Sequence, residues 1–195
     1  MLGHELRNPL APLRNAVYIM QQTELNEPVL RRIRDLIDRQ TAHLKRLVDD
    51  LLDVSRLELG KVNLQKKPLD LNACIACAVE TCLPLAAERG HALDMRLARE
   101  PLMIVADPVR MEQVVCNLLT NAVKFTPEAG RIAVETRREQ DYACLTVRDS
   151  GIGLGSDMLA SVFDLFTQDK RSLERAGGGL GIGLTLVRSL VELHG

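Results

Sequence analysis

Met1-Leu2-Gly3-His4-Glu5-Leu6-Arg7-Asn8-Pro9-Leu10 opens the chain and decides how its first third folds. From Leu6 the apolar positions run Leu6, Leu10, Leu13, Val17 and Met20, stepping by four and three in turn. A repeat of about 3.5 residues is the seam of helices packed side by side. Pro9 and Pro12 each remove a backbone donor inside that pattern, which predicts a local bend. Thr23-Glu24-Leu25-Asn26-Glu27-Pro28 reads as a turn. A second helix is predicted from about Pro28 to Leu59, with the seam Ile33, Ile37, Gln40, Leu44, Leu47, Leu51 and Val54 and with Gly60 as terminator. At about 1.5 Å per residue it is on the order of 45 Å long. Two helices alone cannot enclose such a stripe. The hairpin is expected to dimerise into a four-helix bundle, which the sustained heptads favour, or else to pack on its own chain.

Taking Leu6 as heptad position d and Leu10 as a puts His4 at b, Glu5 at c and Asn8 at f, all off the seam. A histidine serving only core packing would occupy a or d. His4 is therefore expected to face water, with Asn8 one turn on along the same side.

Composition narrows the function classes. The 195 residues are 46% hydrophobic but only 3% aromatic, with no Trp, so aliphatic side chains must build the core. A formal net charge of -1 and the lack of aromatic residues interleaved with basic ones argue against nucleic-acid binding. Nothing at the N-terminus reads as a signal peptide, and no apolar run approaches the roughly 20 residues of a membrane span, so a cytoplasmic chain without a membrane segment is expected. The five cysteines fit reduced thiols. Cys74 and Cys77 match CxxC, but no second half-site follows, and buried structural cysteine is the better reading.

Beyond the hairpin, residues 60–70 read as a polar linker that can contribute a short strand at Val62-Asn63-Leu64. The second domain, 71–195, is predicted to hold helices over Leu71–Glu88, Pro108–Phe125 and Gly181–His194. Strands are predicted over Ala92–Leu97, Leu102–Val105, Arg131–Arg137 and Tyr142–Arg148, the last two forming a hairpin. Helices interleaved with mostly antiparallel strands give an α+β fold, a sandwich of one sheet and one helical layer.

Three segments of this domain suit a nucleotide. Asn117, Asn121 and Lys124 share one helix face, where amides and an ammonium can hold hydrated Mg²⁺ and phosphate oxygens; taken alone, the stripe fits a solvated face better. Asp149-Ser150-Gly151-Ile152-Gly153 follows a strand, and its acid can accept from an amino group on a planar ring, although a plain turn explains it equally well. Gly177, Gly178, Gly179, Gly181 and Gly183 lead into a helix, the arrangement of an anion site and also of a flexible hinge. It is neither a P-loop nor a GxGxxG fingerprint. Phe163 and Phe166 are expected to anchor a loop in the core, with the polar stretch after them as a mobile lid.

In this order and spacing the segments resemble the sensor histidine kinases of two-component signalling. His4 to Leu10 is similar to the H box, Asn117 to Thr126 to the N box, Asp149 to Gly153 to the G1 box, Phe163 to Phe166 to the F box and Gly177 to Gly183 to the G2 box. The resemblance implies a dimerisation and phosphotransfer hairpin followed by a Bergerat-type ATP-binding domain. By position, His4 would be the phosphoacceptor and Glu5 its base. Asn121 would bind Mg²⁺, with Asn117 and Lys124 near the phosphates of ATP. Asp149 would accept from adenine, Gly151, Gly153, Gly177, Gly179, Gly181 and Gly183 would shape pocket and lid, and Asn8 would orient water against a phosphorylated response regulator. The resemblance also leads one to expect a chain truncated at both ends, because only three residues precede His4 and the family's sheet normally gains two strands beyond Gly195. A catalytically silent scaffold and a plain ATPase are the competing functions.

Overall fold

The computed structural model describes residues 2–22, 27–59, 62–167 and 180–195; within them, the side chains of residues 2–7, 21, 22, 58 and 157 lie outside the described set. Helices α1 (Leu2–Gln22) and α2 (Glu27–Glu58) form the expected hairpin, and α1 continues through Pro9 and Pro12 as one helix. The inward face differs from the predicted seam. Pro9 and Ala16 are buried together with Ile33, whereas Leu10, Val17 and Met20 are 51%, 49% and 46% exposed. Leu10, Val17 and Met20 of the heptad are thereby left as an outer stripe.

The C-terminal half of α2 packs on the rest of the chain. Leu47 and Val54 cluster with Leu165, Leu180 and Ile182. Leu57 packs against Val114, Leu186, Val187 and Leu190.

The linker ends earlier than the sequence suggests. No strand forms at Val62–Leu64; instead Lys67–Asp70 is β1, paired antiparallel with β3 (Met103–Ala106) from Lys67↔Ala106 to Asp70↔Met103. Pro68 is tolerated because a two-stranded sheet leaves each strand an edge. A second sheet has the order β2 (Ala92–Arg96), β4 (Arg131–Glu139), β5 (Tyr142–Asp149). Among the described residues there are thus two sheets rather than one. The β4–β5 pair is the expected antiparallel hairpin, but β2 and β4 run parallel. Parallel neighbours need a long crossover, which α4 (Pro108–Phe125) supplies.

Helix α3 (Leu71–Glu88) starts at its cap Asp70, whose carboxylate accepts from the Asn72 and Leu102 N–H groups at 3.1 Å each. Its 18 residues are long and apolar enough to cross a membrane by length and composition, contrary to the expectation of no such run. However, Ile75, Ala78, Val79 and Cys82 pack against Val115 and Leu119 of α4 and Val134 of β4, the setting of a core helix. All five cysteines are free; burial pushes the Cys74 thiol up to about 11, in keeping with a packing role, whereas Cys77 is exposed, against the expectation for it. Two further helices, α5 (Ser156–Leu159) and α6 (Gly183–His194), complete the described elements.

Asp50 lies on α2 between Leu47 and Val54. Burial raises its carboxyl from 3.8 to about 6, with Arg46 opposing the shift and Asp53 and Asp49 adding to it. A raised carboxyl pKa means that folding disfavours the anion. The cost is absent below about pH 3.8, grows as pH rises and is complete above about pH 6. Asp50→Asn should therefore raise the melting temperature at pH 8, with the gain vanishing as pH falls toward 4, as followed by circular dichroism.

Candidate active site

Helix α4 is held at its N-terminus by Asp107, which accepts from the Val109 and Arg110 N–H groups and, at 2.9 Å, from Gln65 N–H. These backbone donors hold the Asp107 carboxyl below the usual range, against the opposing effect of burial, and Arg110 lowers it further. Near its other end, α4 meets the first turn of α6. A Cβ on Gly183 would lie 3.8 Å from Asn121 Nδ2 and 3.9 Å from Asn117 Cγ, so the glycine brings backbone against both amides. Asn117 Nδ2 is buried and has no hydrogen-bond partner among the described residues. An unpaired buried amide N–H costs about 1–3 kcal/mol, which an oxygen of a bound ligand would offset.

The start of α6 supplies more donors. Its N-cap is Ile182, which makes no side-chain cap bond, so the first N–H groups of the helix have no side-chain partner there. This combination fits an anionic triphosphate, and the side-chain oxygens of Asn117 and Asn121 are hard donors of the kind that could hold Mg²⁺. Lys124, the third residue of the predicted stripe, places its ammonium 5.1 Å from the centroid of the Phe125 ring.

The loop after β5 is stitched to the C-terminal end of α4. Asp149 is exposed, and its Oδ1 accepts from Gly151 N–H at 2.8 Å. Ile152 N–H donates to the Phe125 carbonyl at 3.4 Å. A Cβ at Gly151 would fall 2.7 Å from that carbonyl oxygen and 2.4 Å from Asp149 Oδ1, whereas Gly153, at φ +68°, opens on free space. The acid expected to read a base and the amides expected to meet phosphates are thus joined through one helix end. Gly130, to which the sequence reading assigned no role, completes this corner. Its missing side chain admits Thr126 Cγ2, which would lie 2.2 Å from a Cβ.

The glycine-rich segment is described only from Leu180 onward. Gly177, Gly178 and Gly179 lie outside the described residues, as does the whole of the expected lid, residues 169–175. Gly181 has φ +67°, and a Cβ there would meet the Thr167 carbonyl oxygen at 2.6 Å. Its own carbonyl accepts from Phe166 N–H at 3.1 Å, so the two stems of the segment are bonded to each other. The expected anchoring by phenylalanine is not observed. Phe163 and Phe166 are 41% and 40% exposed, and Leu165 is the residue that packs inward. Phe166 adopts φ +61°, a sharp turn that spacing alone does not reveal.

Of the phosphoacceptor residues, Asn8 is exposed on α1 as predicted, and His4 and Glu5 lie in the same helix with side chains outside the described set.

Two family models match the chain. Residues 1–60 match the His Kinase A (phospho-acceptor) domain, and residues 106–195 match the histidine kinase-, DNA gyrase B- and HSP90-like ATPase. The chain belongs to the histidine kinases. It combines a phospho-acceptor domain and an ATPase domain of two-component signalling. It is 38% identical over its whole length to the circadian input-output histidine kinase CikA of Synechococcus elongatus, of which it covers 26%. It is 31% identical over 98% of its length to the autoinducer 2 sensor kinase/phosphatase LuxQ of Vibrio harveyi, covering 23% of that protein. The chain thus spans about a quarter of the curated relatives it matches. Its fold superposes on the Acinetobacter baumannii histidine kinase AdeS with a TM-score of 0.70 and 21% identity, covering 97% of this chain and 86% of that one. The full-length ShkA in complex with AMPPNP gives a TM-score of 0.70 at 29% identity, covering 98% and 39%.

The two stem glycines separate strain from space in this histidine kinase. Gly181→Ala should cost about 2 kcal/mol or more in urea unfolding, because φ is positive and the new methyl meets backbone. Gly183→Ala, with ordinary contacts at 3.8 Å and 3.9 Å, should unfold like the unaltered chain.

Proposed function

We propose that this chain transfers the γ-phosphoryl group of ATP to His4 and passes it on to an aspartate of a response regulator. The observation that supports the reading best is the buried Asn117 Nδ2, without a hydrogen-bond partner among the described residues, near the start of α6, whose N-cap Ile182 makes no side-chain cap bond. In this reading Asn117, Lys124 and the first N–H groups of α6 hold the phosphates, Asn121 holds Mg²⁺, and Asp149 accepts from the adenine amino group. Gly151, Gly153, Gly177, Gly179, Gly181 and Gly183 let backbone approach the nucleotide. Mg²⁺ held by Asn121 would supply charge neutralisation for the transferring phosphoryl group.

His4 attacks the γ-phosphorus through one imidazole nitrogen while Glu5 takes the proton from the other. An N–P bond forms, the bond from phosphorus to the β,γ-bridging oxygen breaks, and ADP departs. A neighbouring carboxylate makes the imidazole more basic, and transfer otherwise depends on positioning and charge. Gyrase-like and chaperone-like members of the superfamily carry a glutamate, the base that activates water, four residues before the metal-binding asparagine. Here that place is Asn117, an amide without that basicity, so the phosphoryl group is kept for His4 rather than lost to water.

The partners follow the same reading. The exposed stripe Leu10, Val17 and Met20 suits a second copy of the hairpin and a four-helix bundle. A receiver domain is the second partner; the related fold of ThkA, with a TM-score of 0.68 and 20% identity, was solved in complex with the response regulator protein TrrA. Asn8, exposed on α1, would orient water for dephosphorylation of that receiver. Dependence on ATP places the chain in the cytoplasm.

With γ-labelled ATP and Mg²⁺ the chain should take up acid-labile, alkali-stable label that His4→Gln abolishes; label persisting in that variant would sink the assignment. ATP at 100 times its Kd should stabilise the chain by about 2.7 kcal/mol, and Asn121→Ala should remove the corresponding rise in melting temperature.

A further inference from the structure

Helix α4 carries Arg110, Gln113, Val114, Asn117 and Asn121 at spacings that share one face. Its N-terminal part meets the hairpin. Arg110 Nη1 lies 2.6 Å from Asp53 Oδ2 of α2, Gln113 Nε2 donates to the same oxygen at 2.9 Å, and Arg110 Nη1 donates to Gln113 Oε1 at 2.8 Å. The triangle is closed and largely desolvated, with the Arg110 and Asp53 side chains 22% and 11% exposed. It differs in this from the other described ion pairs of the chain, each of which has a side chain at least 56% exposed and contributes little.

The contact also sits in register with the phosphoacceptor. Counted back from Gln22 and Glu27 across the antiparallel hairpin, His4 stands beside about residue 45 of α2, within a turn of Leu47. Leu47 packs on Leu165, Leu180 and Ile182, the stems that flank the glycine segment. Asp53, two turns further along α2, grips the helix that bears the nucleotide amides. A second tether reinforces it, since Gln65 N–H binds Asp107 at the α4 cap and Asp107 N–H donates to His194 Nε2 at 3.0 Å.

We infer that Asp53, Arg110 and Gln113 are positioning residues for phosphoryl transfer, a clasp that holds the nucleotide-bearing face of α4 at a set place on the phosphoacceptor hairpin. None of the three belongs to the nucleotide site; they act through α4. The inference rests on the reading of His4 as phosphoacceptor. Because transfer requires the reacting atoms within a few ångströms of contact, loosening the clasp lowers the rate of the step and leaves nucleotide affinity alone.

The test uses the full chain with Arg110→Gln, Asp53→Asn and the exchanged pair Asp53→Arg with Arg110→Asp. Each single variant should label His4 about tenfold more slowly at saturating ATP, with KM for ATP within about twofold of the unaltered chain, and the exchanged pair should recover most of the rate. Single variants that label at the original rate or faster would overturn the inference, as would an exchanged pair no better than the singles. Amide hydrogen exchange gives a reading independent of chemistry. The singles should exchange faster across Pro108–Gln113 and Leu180–Leu186 while β4 and the first turns of α3 stay protected. If the unaltered chain takes up no label, the kinase reading fails by itself. Unchanged exchange at those segments would then remove the clasp as well.

Discussion

One helix face constrains the whole molecule. Along α4, Arg110 and Gln113 bond to the hairpin, Val114 packs on α6 beside Leu57, and Asn117 and Asn121 meet the start of α6 at Gly183. The opposite side of the same helix buries Val115 and Leu119 against α3 and β4. The amides cannot move relative to the hairpin unless the helix moves as a unit, and the α3 and sheet contacts resist that.

The site is made where segments approach each other through missing side chains. Gly183 lets α6 lie against the amides, Gly151 lets the loop after β5 touch the Phe125 carbonyl, and Gly181 lets one stem of the glycine segment bond to the other. At each place backbone polar groups replace side chains as the lining, the arrangement suited to phosphate and to a planar base. Their use differs. Gly181 and Gly151 would clash with backbone if substituted, whereas Gly153 and Gly183 have room, so conformation or access to ligand, rather than packing, accounts for glycine at those two.

Two groups are held in surroundings that folding alone would not favour. Asn117 Nδ2 is buried with no hydrogen-bond partner among the described residues, and the Asp50 carboxyl is desolvated enough to move up to about 6. The first lies beside Asn121 at the start of α6, and the second lies between the α2 residues that pack on the glycine-segment stems. A stability cost at such places is the usual companion of binding and docking surfaces.

The chain's own pattern determined the N-terminal helical hairpin and the helices Leu71–Glu88 and Pro108–Phe125 to the residue, and it marked Asn117, Asn121, Asp149 and the glycines as candidates. These were legible because caps, periodicity and glycine clusters are local signals. The parallel pairing of β2 with β4, the strand at Lys67–Asp70, the inward turn of Pro9 and Ala16 in place of Leu10 and Val17, and the packing of Leu165 in place of the phenylalanines were decided only by tertiary structure. So was the Asp53–Arg110–Gln113 clasp, whose partners are 57 and 60 residues apart. Periodicity shows that a helix has an apolar side, but which flank of that side meets a neighbour, and which distant charge meets which, depends on shapes that exist only once the elements are packed.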